Sequence, residues 1–102
     1  MFTKLYTLRF PSLTEAKVAV SFLSEEIASA IADHDIASAN ILLEKEGSIT
    51  VMVRFDTMEE MKNFTRRKSA TLESLKKSFP LRLTETASVA VFTFDREAAT
   101  TI

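Results

Sequence analysis

Hydrophobic and polar positions change period several times along the chain. Phe2–Phe10 alternates, with Phe2, Tyr6, Leu8 and Phe10 on one side and Thr3, Thr7 and Arg9 on the other. A period of two is a strand, and Pro11 stops it. Lys4 and Leu5 each break the alternation once. Ser12-Leu-Thr-Glu15 reads as a capping box, in which Ser12 accepts from the Glu15 N–H and Glu15 reaches back. Apolar residues then recur at Ala16, Ala19, Val20, Leu23, Ile27, Ala30 and Ile31, one face of a helix of about five turns.

Residues 37–45 alternate again, with Ala39, Ile41 and Leu43 opposite Asn40, Leu42 and Glu44. Glu46-Gly47 supplies a turn, and Ser48–Phe55 alternates cleanly, so the two runs predict a hairpin. Thr57 and Glu60 form a second capping signal before Met58, Met61, Phe64 and Thr65. The helical pattern falters at Arg66-Arg67-Lys68 and resumes at Leu72, Leu75 and Phe79, which predicts a break near Ser69. Pro80 ends that helix, and Thr84–Phe94, rich in Val, Phe and Thr, predicts a last strand.

The order β-α-β-β-α-β has one common compact solution. It is the α+β ferredoxin-like fold, an antiparallel four-stranded sheet with both helices on one face, in strand order 4-1-3-2. Residues 1–95 form the expected domain, and Arg96–Ile102 a frayed tail. The second sheet face should carry Leu5, Leu42, Met52 and one side of the last strand, where both sides are apolar. A patch of that kind calls for a partner, so a homodimer with sheets packed face to face is expected.

Composition narrows the chemistry. The chain of 102 residues is 46% hydrophobic and 26% charged, the balance of a folded domain. It has no Cys, one Gly and one His, which excludes disulfides, thiolate chemistry, phosphate-cradling glycine loops and multi-His metal sites. No metal or cofactor is expected. Net charge is −1, and the open-face positions of strands one and three carry no aromatic residue, so nucleic-acid binding is not expected. The first ten residues lack a signal-peptide core and no apolar run spans a bilayer, so a cytoplasmic protein without a membrane partner is expected.

The segment from Ser48 through Arg54-Phe55-Asp56-Thr57 to Lys62 resembles a known group. A strand ends in a basic, aromatic, acidic and hydroxyl sequence and enters an acidic helix. A second helical piece and a final strand follow. In this respect residues 48–94 are similar to the antibiotic-biosynthesis-monooxygenase-like dimeric α/β barrels. The resemblance implies two ferredoxin-like subunits joined through their sheets, with a pocket between sheet and helices. Members acting on quinols or haem use Trp, Asn and His or Arg there. This chain has no Trp and no His on the helix after Phe55, and Asn63 is that helix's only Asn, so no catalytic residue carries over.

Candidate chemistry is sparse. Tyr6, His34, Asn40, Arg54 and Asn63 are the polar candidates for a pocket taking a small apolar or aromatic ligand, which should exceed about 300 Å³. His34 stands between Asp33 and Asp35, but neighbours at a helix end diverge, and a C-terminal His favoured by the helix dipole accounts for it. Arg54 is expected to pair with Glu44 across the hairpin. Residues 62–77 hold six basic groups against Glu73, a net of +5, and residues 25–46 a net of −5. Arg66, Arg67 and Lys68 are therefore candidates for an anion site, although a solvated helix face, or attraction between the halves of an oligomer, is the simpler account.

Two functional classes follow. One is a small-ligand-binding or cofactor-independent monooxygenase-like protein with a pocket between sheet and helices. The other is a non-enzymatic interaction or regulatory module acting through its dimer surface or its basic second helix.

Overall fold

Capping and strand register together fix the frame. The computed structural model describes residues 1–96. Its order is β1 (Phe2–Arg9), α1 (Leu13–Asp33), β2 (Ser38–Leu43), β3 (Ser48–Phe55), α2 (Met58–Ser78) and β4 (Arg82–Val89). Ser12 Oγ accepts from Glu15 N (3.3 Å), and Thr57 Oγ1 accepts from Glu60 N (3.2 Å). Each expected box is only half made, because Glu15 Oε2 and Glu60 Oε2 have no hydrogen-bond partner. Glu59 and Glu60 in the first turn of α2, with Lys76 and Lys77 in its last, complement the helix dipole.

The four strands form one antiparallel sheet in the order β2-β3-β1-β4, the ferredoxin-like arrangement. Tyr6 lies opposite Val51 and Glu85, and Leu8 opposite Ile49 and Leu83. The helices cover this side, where Leu8, Ile49, Val53 and Phe55 are fully enclosed and pack with Ala16, Ala19, Leu23, Ala30, Met61, Phe64 and Leu75. Small alanines let α1 lie close to the sheet. Phe10 and Phe79 close one end of the core edge to face, with ring centroids 5.5 Å apart.

Several expectations need correction. α2 runs unbroken through Ser69, whose hydroxyl donates to the Arg66 carbonyl (3.0 Å) instead of capping a new helix. Lys68 sits on the inner stripe of α2, and its ammonium reaches Glu26 on α1 at 3.5 Å. Ile31, expected on the apolar face of α1, is exposed and lies outside the core.

The last strand is displaced toward the N-terminus. β1 pairs from Phe2, and Phe2 lies opposite Val89, so the ladder ends there apart from a final bond from Ala90 N to Met1 O (2.9 Å). On the open side β4 therefore presents Arg82, Thr84, Thr86 and Ser88, not a row of Ala and Phe. The apolar groups of that face are Leu5, Leu42 and Met52. Val91, Phe92 and Phe94 lie beyond the strand and are 97%, 86% and 77% exposed.

The segment after β4 returns across the open face. Asp95 Oδ2 meets Arg54 Nη2 at 3.3 Å, although Arg54 is on β3, two strand spacings or about 10 Å from β4. Thr3, between Arg54 and Ser88 on β1, is only 7% exposed on a face no helix covers. Its burial fits a chain segment passing over it. The expected tail from residue 96 onward lies, after Arg96, outside the described residues.

Candidate functional site

The sequence-predicted candidates divide among three places. Tyr6 and Lys68 line a cleft between the sheet and the helices. The sheet contributes Tyr6, Leu8 and Val51, α1 contributes Leu23, Glu26 and Ile27, and α2 contributes Phe64, Lys68, Thr71 and Leu72. The Glu26–Lys68 ion pair crosses from one helix to the other at this cleft. The volume inside is ≈ 40 Å³, room for two or three water molecules and well below the expected ligand pocket.

Tyr6 is the polar centre of the cleft. It is 4% exposed, and its hydroxyl has no hydrogen-bond partner. Burial pushes the phenol up to about 12, with Glu85 adding to the rise and the nearby Thr65 hydroxyl easing it. Thr65 itself donates to the Met61 carbonyl (2.9 Å). Lys4, read from sequence only as a break in alternation, stands over the Tyr6 ring with its ammonium 5.7 Å from the centroid and 3.3 Å from Glu85. The ring is thus held on its sheet side while the phenolic oxygen stays unpaired. At neutral pH this phenol is protonated and serves as a hydrogen-bond donor.

His34, Asn63, Arg66 and Arg67 meet elsewhere. They line an open notch of ≈ 250 Å³ where the end of α1 meets the first half of α2, together with Asp33, Asp35 and Glu60. The His34 ring stacks edge-on against Phe64 at 5.4 Å. Burial lowers its pKa, and Arg67 and Lys68 push the same way while Asp33 opposes them. Glu60 is pushed up by loss of solvent and by the nearby Asp35 carboxylate. Arg66 Nη2 donates to Asn63 Oδ1 at 2.6 Å.

Asn40 and Arg54 join neither site. Both belong to the open sheet face, Asn40 opposite Met52 and Arg54 opposite Ser38. The expected Arg54–Glu44 pair does not form, because that register puts Glu44 beyond the far end of the hairpin. Arg54 Nε donates instead to Ser38 Oγ (2.7 Å), and its Nη2 to Asp95. The basic triplet is split as well. Successive helical residues turn by about 100°, so Lys68 enters the cleft while Arg66 and Arg67 face the notch.

Among the described residues, no group of three His, Asp or Glu side chains is placed to hold a metal ion. No helix there is long and apolar enough to cross a membrane.

The fold has relatives among solved structures. The crystal structure of a dimeric ferredoxin-like protein from an uncultured marine organism superposes with a TM-score of 0.72. It shares 18% identity, over 93% of this chain and 98% of that one. A candidate antibiotic biosynthesis monooxygenase from Deinococcus radiodurans superposes with a TM-score of 0.70 at 15% identity, over 96% of this chain and 100% of that one. No family model matches the chain, and no curated protein does. At these identities the likeness shows the fold, and agrees with the architecture that residues 48–94 suggested.

Glu26, Thr71 and Glu60 were not foreseen as site residues. Glu26 carried only the signal of a charged position on a helix, and Glu60 that of a capping acid. Nothing in the sequence paired Glu26 with Lys68, because that contact depends on how the two helices cross.

Proposed function

We propose that this protein is a homodimeric small-ligand-binding protein. Its cleft takes up a small, largely apolar molecule that accepts a hydrogen bond from Tyr6. The observation that carries this reading is the buried Tyr6 hydroxyl, which makes no hydrogen bond beside the cleft. Leaving such a group unpaired costs about 1–3 kcal/mol, which a ligand carbonyl would recover. The closed cleft holds only ≈ 40 Å³, so entry requires the Glu26–Lys68 pair to part. That pair is partly exposed and weak enough to do so.

Binding is favoured over catalysis. The raised Tyr6 pKa suits a donor and not a general base. The likeness to a candidate monooxygenase is one of fold, and the acid and base that line the cleft with Tyr6, Glu26 and Lys68, are engaged with each other as an ion pair. Dimerisation through the open sheet face is supported by Leu5, Leu42 and Met52 on that face, by exposed Phe92 and Phe94 beside it, and by the dimeric state named for one structural neighbour.

Titration with cyclohexanone against methylcyclohexane, followed by NMR, tests the cleft. The ketone should bind more tightly, and Tyr6→Phe should erase the difference. Equal binding of both, or none, would overturn the reading. Sedimentation of the intact protein and of Met52→Lys tests the dimer, which the lysine should dissociate.

A further inference from the structure

The polar notch is larger than the Tyr6 cleft, and it holds charges of both signs. Glu60, Asp33 and Asp35 share ≈ 250 Å³ with Arg66 and Arg67. Among the described residues none of these five forms an ion pair, whereas four other pairs form elsewhere on the molecule. Opposite charges in one notch normally close on each other unless the backbone holds them apart. Within α2, Glu60 and Arg66 lie six residues apart, about 9 Å along the helix axis and outside the three- or four-residue spacing at which helical charges meet.

The two ends are complementary to different groups. At the acidic end, Glu60 and Asp35 line the notch side by side, near enough for the Asp35 carboxylate to push the Glu60 pKa up. An ammonium supplies three donors and a positive charge to such a pair. At the basic end, the Arg66 guanidinium is held by Asn63 at 2.6 Å, and the Arg67 guanidinium lies near His34. Planar guanidinium groups match a carboxylate in a two-bond fork.

We propose that this notch binds a short zwitterion, with the ammonium between Glu60 and Asp35 and the carboxylate on Arg66 and Arg67. The notch shares no lining residue with the Tyr6 cleft.

The test is an NMR titration of the isotope-labelled full chain with γ-aminobutyrate, with butyrate and butylamine as half-ligands. The zwitterion should give saturable shifts at His34, Glu60, Asn63 and Arg67, and each half-ligand should bind about tenfold more weakly or worse. Glu60→Gln and Arg67→Gln should each weaken binding by about tenfold with the rest of the spectrum unchanged. If Glu60→Gln disturbs the fold, Asp35→Asn serves in its place. Butyrate or butylamine binding as well as the zwitterion would overturn the proposal. So would the absence of saturation at about 10 mM γ-aminobutyrate.

Discussion

Lys68 Nζ stands 3.5 Å from Glu26 Oε2 and ties α2 to α1 beside the apolar cleft. The pair is partly solvated, and pairs of this kind contribute at most about 1 kcal/mol. The aliphatic stem of Lys68 covers apolar surface with the charge at its tip. Lys68→Met keeps the stem and removes the charge. It should change unfolding stability in urea by less than about 1 kcal/mol while tightening cyclohexanone binding, since no ion pair then has to break. A loss of about 3 kcal/mol or more would make the pair a structural clamp and not a gate.

Tyr6→Phe removes a buried hydroxyl that has no partner. Most core truncations destabilise, but this one should leave stability unchanged or raise it by about 1 kcal/mol, read from urea unfolding. The pH dependence gives a second check. The folded-state pKa of about 12 lies above the ordinary tyrosine value of 10. The stability held by the neutral phenol is therefore fully present below pH 10 and is lost as pH rises through about 12, because the unfolded chain ionises first. Tyr6 is the only tyrosine, so tyrosinate absorbance reports it directly, and the Phe variant should lose this alkaline slope.

The frame of the fold was legible because its signals are local. Alternation in Phe2–Phe10 and Ser48–Phe55, two Ser/Thr caps and one turn glycine placed five of six elements within a few residues. The end of the sheet was not legible, because the extent of β4 is set by where β1 offers partners, while Val91–Phe94 has strand-like composition whether paired or not. The apparent break at Arg66–Lys68 was a true departure from the apolar stripe, but its cause was a cross-helix ion pair and not a kink. The candidate site was half legible. Polar residues worth watching were visible, but which of them meet depends on the crossing of α1 and α2, which divides Tyr6 and Lys68 from His34, Asn63, Arg66 and Arg67.

Arg54 is the anchor for the segment that follows β4. It donates to Ser38 Oγ at 2.7 Å and meets Asp95 at 3.3 Å. The Asp95 contact is exposed and holds little energy, but among the described residues it is the only side-chain hydrogen bond or ion pair made by residues 90–95. Arg54→Ala should leave global stability within about 1 kcal/mol. It should release that segment, seen as faster amide exchange after Val89 and at Thr3, which the segment shields. Unchanged exchange at Thr3 would show that the strands alone bury it.

Gly47 links the hairpin to the start of α1. Its φ is +95°, and its carbonyl accepts from Phe10 N at 3.1 Å while its N–H donates to the Glu44 carbonyl at the same distance. A Cβ at this position would stand 2.9 Å from both the carbonyl carbon and oxygen of Ser12. Two effects then act together in Gly47→Ala. A non-glycine residue at that φ is strained by roughly 1–3 kcal/mol. The clash is with backbone, which cannot swing aside as a side chain can, so relief must come from displacing the capping residue of α1. Gly47→Ala should therefore cost about 2 kcal/mol or more in urea unfolding, with the largest chemical-shift changes at Ser12 and Leu13. Gly47→Asn, whose side chain tolerates positive φ, shares the clash and eases only the strain. It should fall between the two, and an Asn variant as stable as the native chain would show that the contact with Ser12 yields easily.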